Sequence, residues 1–214
     1  MSEKEKLIEQ YSFKGYSLYA GTIYEKEWGD KKIAQHYLDK YYLPEQEYLA
    51  EWKSLQDRIF ISNEGLPELI FEADFNLLAI RGGTLFVKED FENLQKCLVK
   101  LGDKNLIIIQ NTFGDDFEIP PLRMKYPYDI TWDEIMNGNF ISTALFEMFH
   151  NEYFVYSESA NWGKYSANDY EHPFDIIGFK PDFAGIFIDQ FMQSKEEQDE
   201  IREWLPPKYK IFIS

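Results

Sequence analysis

His172 is the histidine best placed for chemistry, because two aspartates lie close to it in the sequence. Asp169 precedes it by three residues and Asp175 follows it by three. Carboxylate oxygens and an imidazole nitrogen together suit a divalent metal ion. The spacing matches no established metal motif, and polar residues of a loop ahead of a strand would give the same pattern. A metal-dependent hydrolase that uses Asp169, His172 and Asp175 is therefore one alternative for the function.

A second group of carboxylates consists of Asp115, Asp116 and Glu118. Such a group could bind Mg²⁺ or Ca²⁺, or supply an acid and a base for hydrolysis. The regular spacing of a calcium loop is absent, and two prolines, Pro120 and Pro121, follow soon after. The pattern is also that of an ordinary surface loop.

The remaining nucleophiles lack the surroundings that catalysis requires. Ser157 and Ser159 follow a predicted strand, but no flanking glycine permits the sharp turn of a nucleophile elbow. Cys97 lies on the apolar side of a predicted helix, where a thiol behaves as a small hydrophobic group. The sequence has neither a glycine-rich phosphate loop nor a His-Glu-x-x-His motif. We therefore expect no cofactor, and the sequence favours a non-catalytic protein over an enzyme.

The clearest structural pattern surrounds Gly82 and Gly83. These glycines separate two short apolar runs and predict a hairpin over 77–87. Apolar residues at helical spacing predict a helix over 89–101, and an apolar run follows it. The resulting strand–helix–strand order over 84–109 allows a right-handed parallel crossover, which predicts a mixed β-sheet.

The other elements fall on both sides of this unit without regular alternation. This order predicts a single α+β domain over residues 1–214, with a mixed sheet packed against helices. The further predicted helices are 31–42, a helix that follows Pro44, a short one from Thr131, 140–149 and 194–205, and the further predicted strands are 153–156, 174–179 and 209–213.

Residues 157–172 stand out as a long connection between two predicted strands. Aromatic residues alternate there with small polar ones, a composition typical of recognition loops. The alternative is that the aromatic rings fold back onto the sheet and cap the core. The predicted binding residues are Glu158, Asn161, Trp162, Tyr165, Asn168, Asp169 and Tyr170, and a small-ligand module with Trp162 and Tyr165 as a stacking platform is a further alternative.

The charge of the chain indicates what kind of partner this loop would bind. The 22 basic and 38 acidic residues give a net charge of −16, which argues against nucleic acid and anionic membranes as partners. From Tyr126 to Gly163 there is no Lys or Arg but there are six carboxylates. This stretch adjoins the aromatic segment, so we expect an acidic face that binds a basic protein.

A family resemblance points in the same direction. Phe154-Val155-Tyr156-Ser157, followed by Asn161-Trp162-Gly163-Lys164-Tyr165, resembles segments of small bacterial proteins found as candidate immunity proteins in polymorphic or contact-dependent toxin systems. The resemblance covers about 25 residues of this sequence. It implies a non-catalytic inhibitor that binds a toxin, and it transfers no catalytic residue.

The charged N-terminus and the short apolar runs predict a cytoplasmic protein without a signal peptide or a membrane span. The sequence as a whole therefore predicts a cytoplasmic protein-binding domain, with an immunity-like inhibitor as its most specific form.

Overall fold

The computed structural model describes residues 1–12, 14–19, 21–27, 29–61, 65–82, 84–112, 120–146, 152–167 and 173–209. Over 14–19 and 23–27 it describes the backbone alone. Several predicted features lie outside the described residues: Asp115, Asp116 and Glu118, the last turn of the helix predicted over 140–149, and the strand predicted over 209–213 beyond Tyr209.

Four of the described helices begin at a residue whose side chain caps the free backbone amides of the first turn. Ser2, Thr131 and Ser194 each form a capping box with a glutamate three residues later, and Asp30 accepts from two amides. The helices are α1 (Glu3–Tyr11), α2 (Lys31–Tyr41), α3 (Glu45–Glu47), α4 (Lys53–Gln56), α5 (Lys88–Leu101), α6 (Trp132–Ile135), α7 (Phe140–Phe146), α8 (Ala184–Phe191) and α9 (Lys195–Trp204).

Two shorter helical turns complete this set. A π-helical turn, Tyr48–Trp52, joins α3 to α4, and a 3₁₀ turn, Pro181–Phe183, leads into α8. The helices predicted after Pro44 and over 31–42 are confirmed, and so are those predicted from Thr131 and 194–205.

Among the residues that the structure describes, six strands form one sheet and two more form a separate hairpin. The hairpin pairs the first two strands, and the sheet has the order β3-β8-β7-β6-β4-β5. The strands are β1 (Lys14–Tyr19), β2 (Thr22–Glu27), β3 (Asn76–Arg81), β4 (Asn105–Asn111), β5 (Arg123–Pro127), β6 (Glu152–Tyr156), β7 (Trp162–Ser166) and β8 (Phe174–Phe179).

Every pair of neighbouring strands in the six-stranded sheet is antiparallel, so the prediction of a mixed sheet is wrong. The crossover through α5 does join two strands of the same direction, β3 and β4. Three other strands, β8, β7 and β6, lie between them. A strand–helix–strand pattern in the sequence does not show whether its two strands are neighbours in the sheet.

The predicted hairpin over 77–87 is also wrong. Its first half is β3, but residues 84–87 are not a strand, and β3 pairs with β8 instead. Gly82 explains the misleading signal, because a Cβ atom there would lie 2.8 Å from Asp175 Oδ1 and 2.8 Å from the carbonyl carbon of Phe174. The glycine permits a close approach between β3 and the start of β8 and does not form a hairpin turn.

The sheet buries side chains on both of its faces. Leu78 and Ile80 belong to one apolar cluster with residues of α2, α5, α7 and α8. Leu77 and Ala79, which alternate with them, belong to a second cluster with Trp52, Phe60 and Ile201. The molecule is therefore a single α+β domain in which an antiparallel sheet lies between two layers, and the predicted fold class is confirmed. Among the described residues, none of the helices has the length and apolar character of a membrane span.

Candidate functional site

The segment predicted as an aromatic loop contains a central strand of the sheet. β7 pairs with β6 on one side and with β8 on the other. Trp162 and Tyr165 are both 0% exposed, and they belong to the two different apolar clusters. The loop prediction is therefore wrong for residues 162–166, and the alternative in which the rings pack onto the sheet describes these two residues. Buried rings offer no surface to a partner or a stacking ligand. Asn168, Asp169 and Tyr170 lie outside the described residues.

Trp162 belongs to a buried hydrogen-bond network around Asp103. Its indole Nε1 donates to Asp103 Oδ2 at 3.1 Å and to Ser157 Oγ at 2.8 Å. Ser157 and Ser159 donate to the same Oδ2 at 2.5 and 3.1 Å. The serine hydroxyls bind the carboxylate directly, with no imidazole between them, and this arrangement fixes two turns without activating a nucleophile.

Two other predicted binding residues support the backbone. The carboxylate of Glu158 accepts hydrogen bonds from the amides of Lys104 and Asn105, at 2.6 and 3.0 Å. The carbonyl oxygen of Asn161 accepts from the amide of Lys180 at 2.8 Å. Both residues are half-buried, and their hydrogen bonds connect the segment between β6 and β7 to the start of β4 and the end of β8.

Asp175, predicted as a possible metal ligand, forms an ion pair inside the core. Lys164 Nζ lies 2.6 Å from Asp175 Oδ2, donates to the carbonyl oxygen of Leu85 at 2.6 Å, and lies 4.5 Å from the centre of the Phe86 ring. Burial raises the pKa of the Asp175 carboxyl above its ordinary value, and the nearby Lys164 opposes that rise.

The other two residues of the predicted metal site, Asp169 and His172, lie outside the described residues. Within the described ranges, no group of three or more His, Cys, Asp or Glu side chains is arranged to hold a metal ion. The role of Lys164 was not predicted from the sequence. One charge of each sign within otherwise apolar β7 and β8 is the signal that points to such a buried pair.

Cys97 is buried, as the sequence predicts. Its thiol lies 3.5 Å from the carbonyl oxygen of Ile186, and burial raises the pKa of the thiol to about 12. A thiol with so high a pKa stays protonated at neutral pH and is a poor nucleophile.

The carboxylates between Tyr126 and Gly163 are mostly engaged within the molecule. Besides Glu158, Glu152 accepts a hydrogen bond from the Tyr165 hydroxyl, and Glu134 caps α6 and lies 3.5 Å from Lys40 Nζ. Glu147 lies outside the described residues. Asp129 and Asp133 remain exposed. The acidic face predicted for this stretch therefore consists of few available charges.

A larger group of available carboxylates flanks the edge strand β3. Helices α8 and α9 both contact β3, and their apolar side chains enter different clusters, so they lie on opposite faces of the sheet. We call four exposed carboxylates of these helices and of the preceding turn the β3-edge acidic surface; Glu200, which pairs with Arg81, and Glu203 are not part of it. None of the four has an ion-pair partner within the described parts of the chain. They are Asp182, Asp189, Glu196 and Asp199.

Comparison with known proteins gives no match: no family model fits the sequence, and no curated protein and no solved structure shows significant similarity to it.

Proposed function

We propose that this chain is a non-catalytic protein-binding domain that binds a basic protein through the β3-edge acidic surface. The observation that supports this proposal is the set of four exposed carboxylates, without ion-pair partners among the described residues, on two helices and the turn before them, beside β3. Carboxylates that are not held by internal partners are available to lysines and arginines of another protein. Complementary charge of this kind speeds association and makes it sensitive to salt.

The resemblance around β6 and β7 supports a more specific form of the proposal, an immunity-like inhibitor. A toxin that acts on nucleic acid carries a basic groove, which complements an acidic surface. The gene beside this one is then expected to encode the toxin, and co-expression is expected to protect cells from it. A neighbouring toxin whose lethality is unchanged by co-expression would contradict this form of the proposal.

The test compares two charge-reversal variants of equal net charge. The first carries Asp182→Lys, Asp189→Lys, Glu196→Lys and Asp199→Lys. The second carries Glu9→Lys, Glu45→Lys, Glu51→Lys and Asp129→Lys at exposed positions elsewhere. Binding of the partner captured from native lysate is measured at low and high salt by surface plasmon resonance.

We expect the first variant to abolish binding and the second to retain most of it, with wild-type association slowing as salt rises. A double variant, Asp129→Lys with Asp133→Lys, tests whether the stretch from Tyr126 to Gly163, which has no Lys or Arg, contributes to binding. Equal losses in both four-site variants, or association that is insensitive to salt, would refute binding through the β3-edge acidic surface.

A further inference from the structure

Arg123 is a buried cation, and one of its three guanidinium nitrogens makes no hydrogen bond to the described residues. Its side chain is 4% exposed. Nε donates to the carbonyl oxygen of Leu43 at 3.2 Å, and Nη2 donates to Glu3 Oε2 at 2.9 Å and to the Tyr42 hydroxyl at 3.0 Å. The two N–H groups of Nη1 make no hydrogen bond to any residue that the structure describes. These two N–H groups are therefore available to a ligand or to water.

A small cavity of about 180 Å³ lies beside this guanidinium. We call it the Arg123 cavity. Arg123 lines it together with Lys53 and Gln56 of α4, and the apolar walls include Phe60, Ile109 and Phe154. The volume is below the 300–1,000 Å³ typical of sites for drug-sized ligands, so it suits a small molecule.

Hydrogen-bond donors outnumber acceptors among these polar groups. Gln56 uses Oε1 to accept from the Tyr48 hydroxyl at 3.0 Å, which leaves its amide nitrogen as a donor. Lys53 supplies a second cation, and Asp57, with which it forms an ion pair, is the one carboxylate among the described residues that line the cavity. Arg123 and Lys53 each pair with one carboxylate, Glu3 and Asp57, and the N–H donors of Nη1 and of the Gln56 amide remain for the oxygens of a bound carboxylate.

The π-helical turn independently marks the same place. Tyr48 begins this turn and lines the cavity, and α4, which carries Lys53 and Gln56, comes directly after it. An α-helix would bring residues at intervals of 3.6 per turn, whereas the π turn inserts an extra residue and so rotates α4 relative to Tyr48. Single π turns within helices occur frequently at functional sites.

We propose that the Arg123 cavity binds a small free monocarboxylate with an apolar body. The planar guanidinium matches a carboxylate group, and Lys53 and Gln56 donate around it. The apolar walls take the rest of the molecule. This site is separate from the β3-edge acidic surface and does not depend on the proposed partner.

The experiment uses the full chain with butyrate, isovalerate and benzoate as probes. Their neutral amides control for the apolar body, and inorganic phosphate controls for charge. Isothermal titration calorimetry measures affinity, and thermal shift measures stabilisation of the folded protein. We expect saturable binding of at least one carboxylate, no binding of its amide, and weaker binding of phosphate. Absence of saturable binding for all three carboxylates, or equal binding of carboxylate and amide, would overturn the proposal.

Matched variants test whether binding occurs in this cavity. Lys53→Gln should weaken carboxylate binding about five-fold, the upper range for a partly exposed ion pair. Asp57→Asn should strengthen binding, because it removes the carboxylate that competes for Lys53. Lys125→Gln is the control, since Lys125 pairs with Glu47 outside the cavity. Changes of the same sign in Lys53→Gln and Asp57→Asn, or an effect of Lys125→Gln as large as that of Lys53→Gln, would refute this location.

Arg123→Lys gives a further readout, because it keeps the charge and removes the guanidinium. We expect loss of binding with an unchanged near-UV circular dichroism spectrum. Should this variant fail to fold, the opposite effects of Lys53→Gln and Asp57→Asn still decide the question.

Discussion

At the scale of single residues, Trp162 shows how a side chain suited to recognition can serve the core. Tryptophan offers a large ring and one N–H donor, and both are used internally when the ring is buried. The Nε1 group of Trp162 satisfies Asp103, and its ring packs 5.8 Å from that of Phe187, centre to centre. The sequence singles out Trp162 but does not show whether its ring lies on the surface or in the core.

Replacing Trp162 with Phe should destabilise the protein by about 2 to 4 kcal/mol. The change leaves a cavity and removes a donor from a buried carboxylate. Urea denaturation measures the free energy of unfolding, and Trp204→Phe, at a half-exposed position, is the control. Unchanged stability of Trp162→Phe would mean that the ring lies outside the core, as the loop prediction required.

Glu152 makes stability depend on pH through a single carboxylate. Burial raises the pKa of Glu152 above its ordinary value of 4.5, and hydrogen bonds from Tyr165 and Asn111 oppose the rise. A raised pKa in the folded state means that the protonated form is favoured there. Protonated Glu152 therefore contributes fully to the free energy of unfolding below pH 4.5, and this contribution is lost as pH rises through the pKa of Glu152 in the folded state.

Glu152→Gln should remove this contribution, because glutamine is neutral at every pH and its carbonyl can still accept from Tyr165. The wild type should therefore lose stability relative to the variant as pH rises above 4.5. Thermal unfolding across this range measures the difference, and exposed Glu9→Gln controls for the loss of one negative charge. A wild type that gains stability relative to Glu152→Gln as pH rises would show that the hydrogen bonds outweigh burial.

At the scale of elements, β7 depends on a glycine that faces an aromatic ring. A Cβ atom at Gly163 would lie 2.5 Å from Phe60 Cζ and 2.7 Å from Ile59 Cγ2. The second core layer therefore lies directly against the backbone of β7. Glycine weakens a strand on its own, so the sequence around 163 resembles a loop, and packing in three dimensions overrides that local preference.

Gly163→Ala should destabilise the protein by about 1 to 3 kcal/mol, because the added methyl group overpacks the core. Gly185→Ala is the matched control within α8, where a Cβ atom meets nothing within 4 Å. It should stabilise the protein by about 0.5 to 1 kcal/mol through helix propensity. Chemical denaturation of both variants measures the contrast, and similar stabilities for the two would show that β7 is not packed as described.

Helices are predicted more accurately than strands because their signals are local. The capping box at Ser194 and the apolar stripe with Gly102 after α5 lie within one element. Strand partners are distant in the sequence, so no local signal identifies them. The sequence of β5 therefore resembles a loop, and the glycines after β3 predict pairing with the next segment although β3 pairs with β8. Helices α1 and α8 and the hairpin of β1 and β2 were not predicted from the sequence either.

At the scale of the whole molecule, net charge gives a poor guide to which surface is available. The longest stretch without a basic residue contains carboxylates that cap helices and bind amides, as Glu134 and Glu158 do. The available carboxylates lie instead on α8, α9 and the turn before α8, a region where basic residues also occur in the sequence. Fold class was predictable from the order of elements, whereas the Arg123 cavity was not, because β5 and α4 meet there only through tertiary packing.

The position of β3 also bears on how the chain is synthesised and assembled. β3 lies before α5 in the sequence, yet its partner in the sheet is β8, and Asn76 pairs with Phe179. A nascent chain that ends before β8 contains β3 but not its strand partner. The backbone hydrogen-bonding groups of β3 on that side therefore stay unpaired until β8 has been synthesised. Pairing over such a sequence distance costs loop entropy and slows folding. We therefore expect the sheet to close late, only after β8 has emerged from the ribosome.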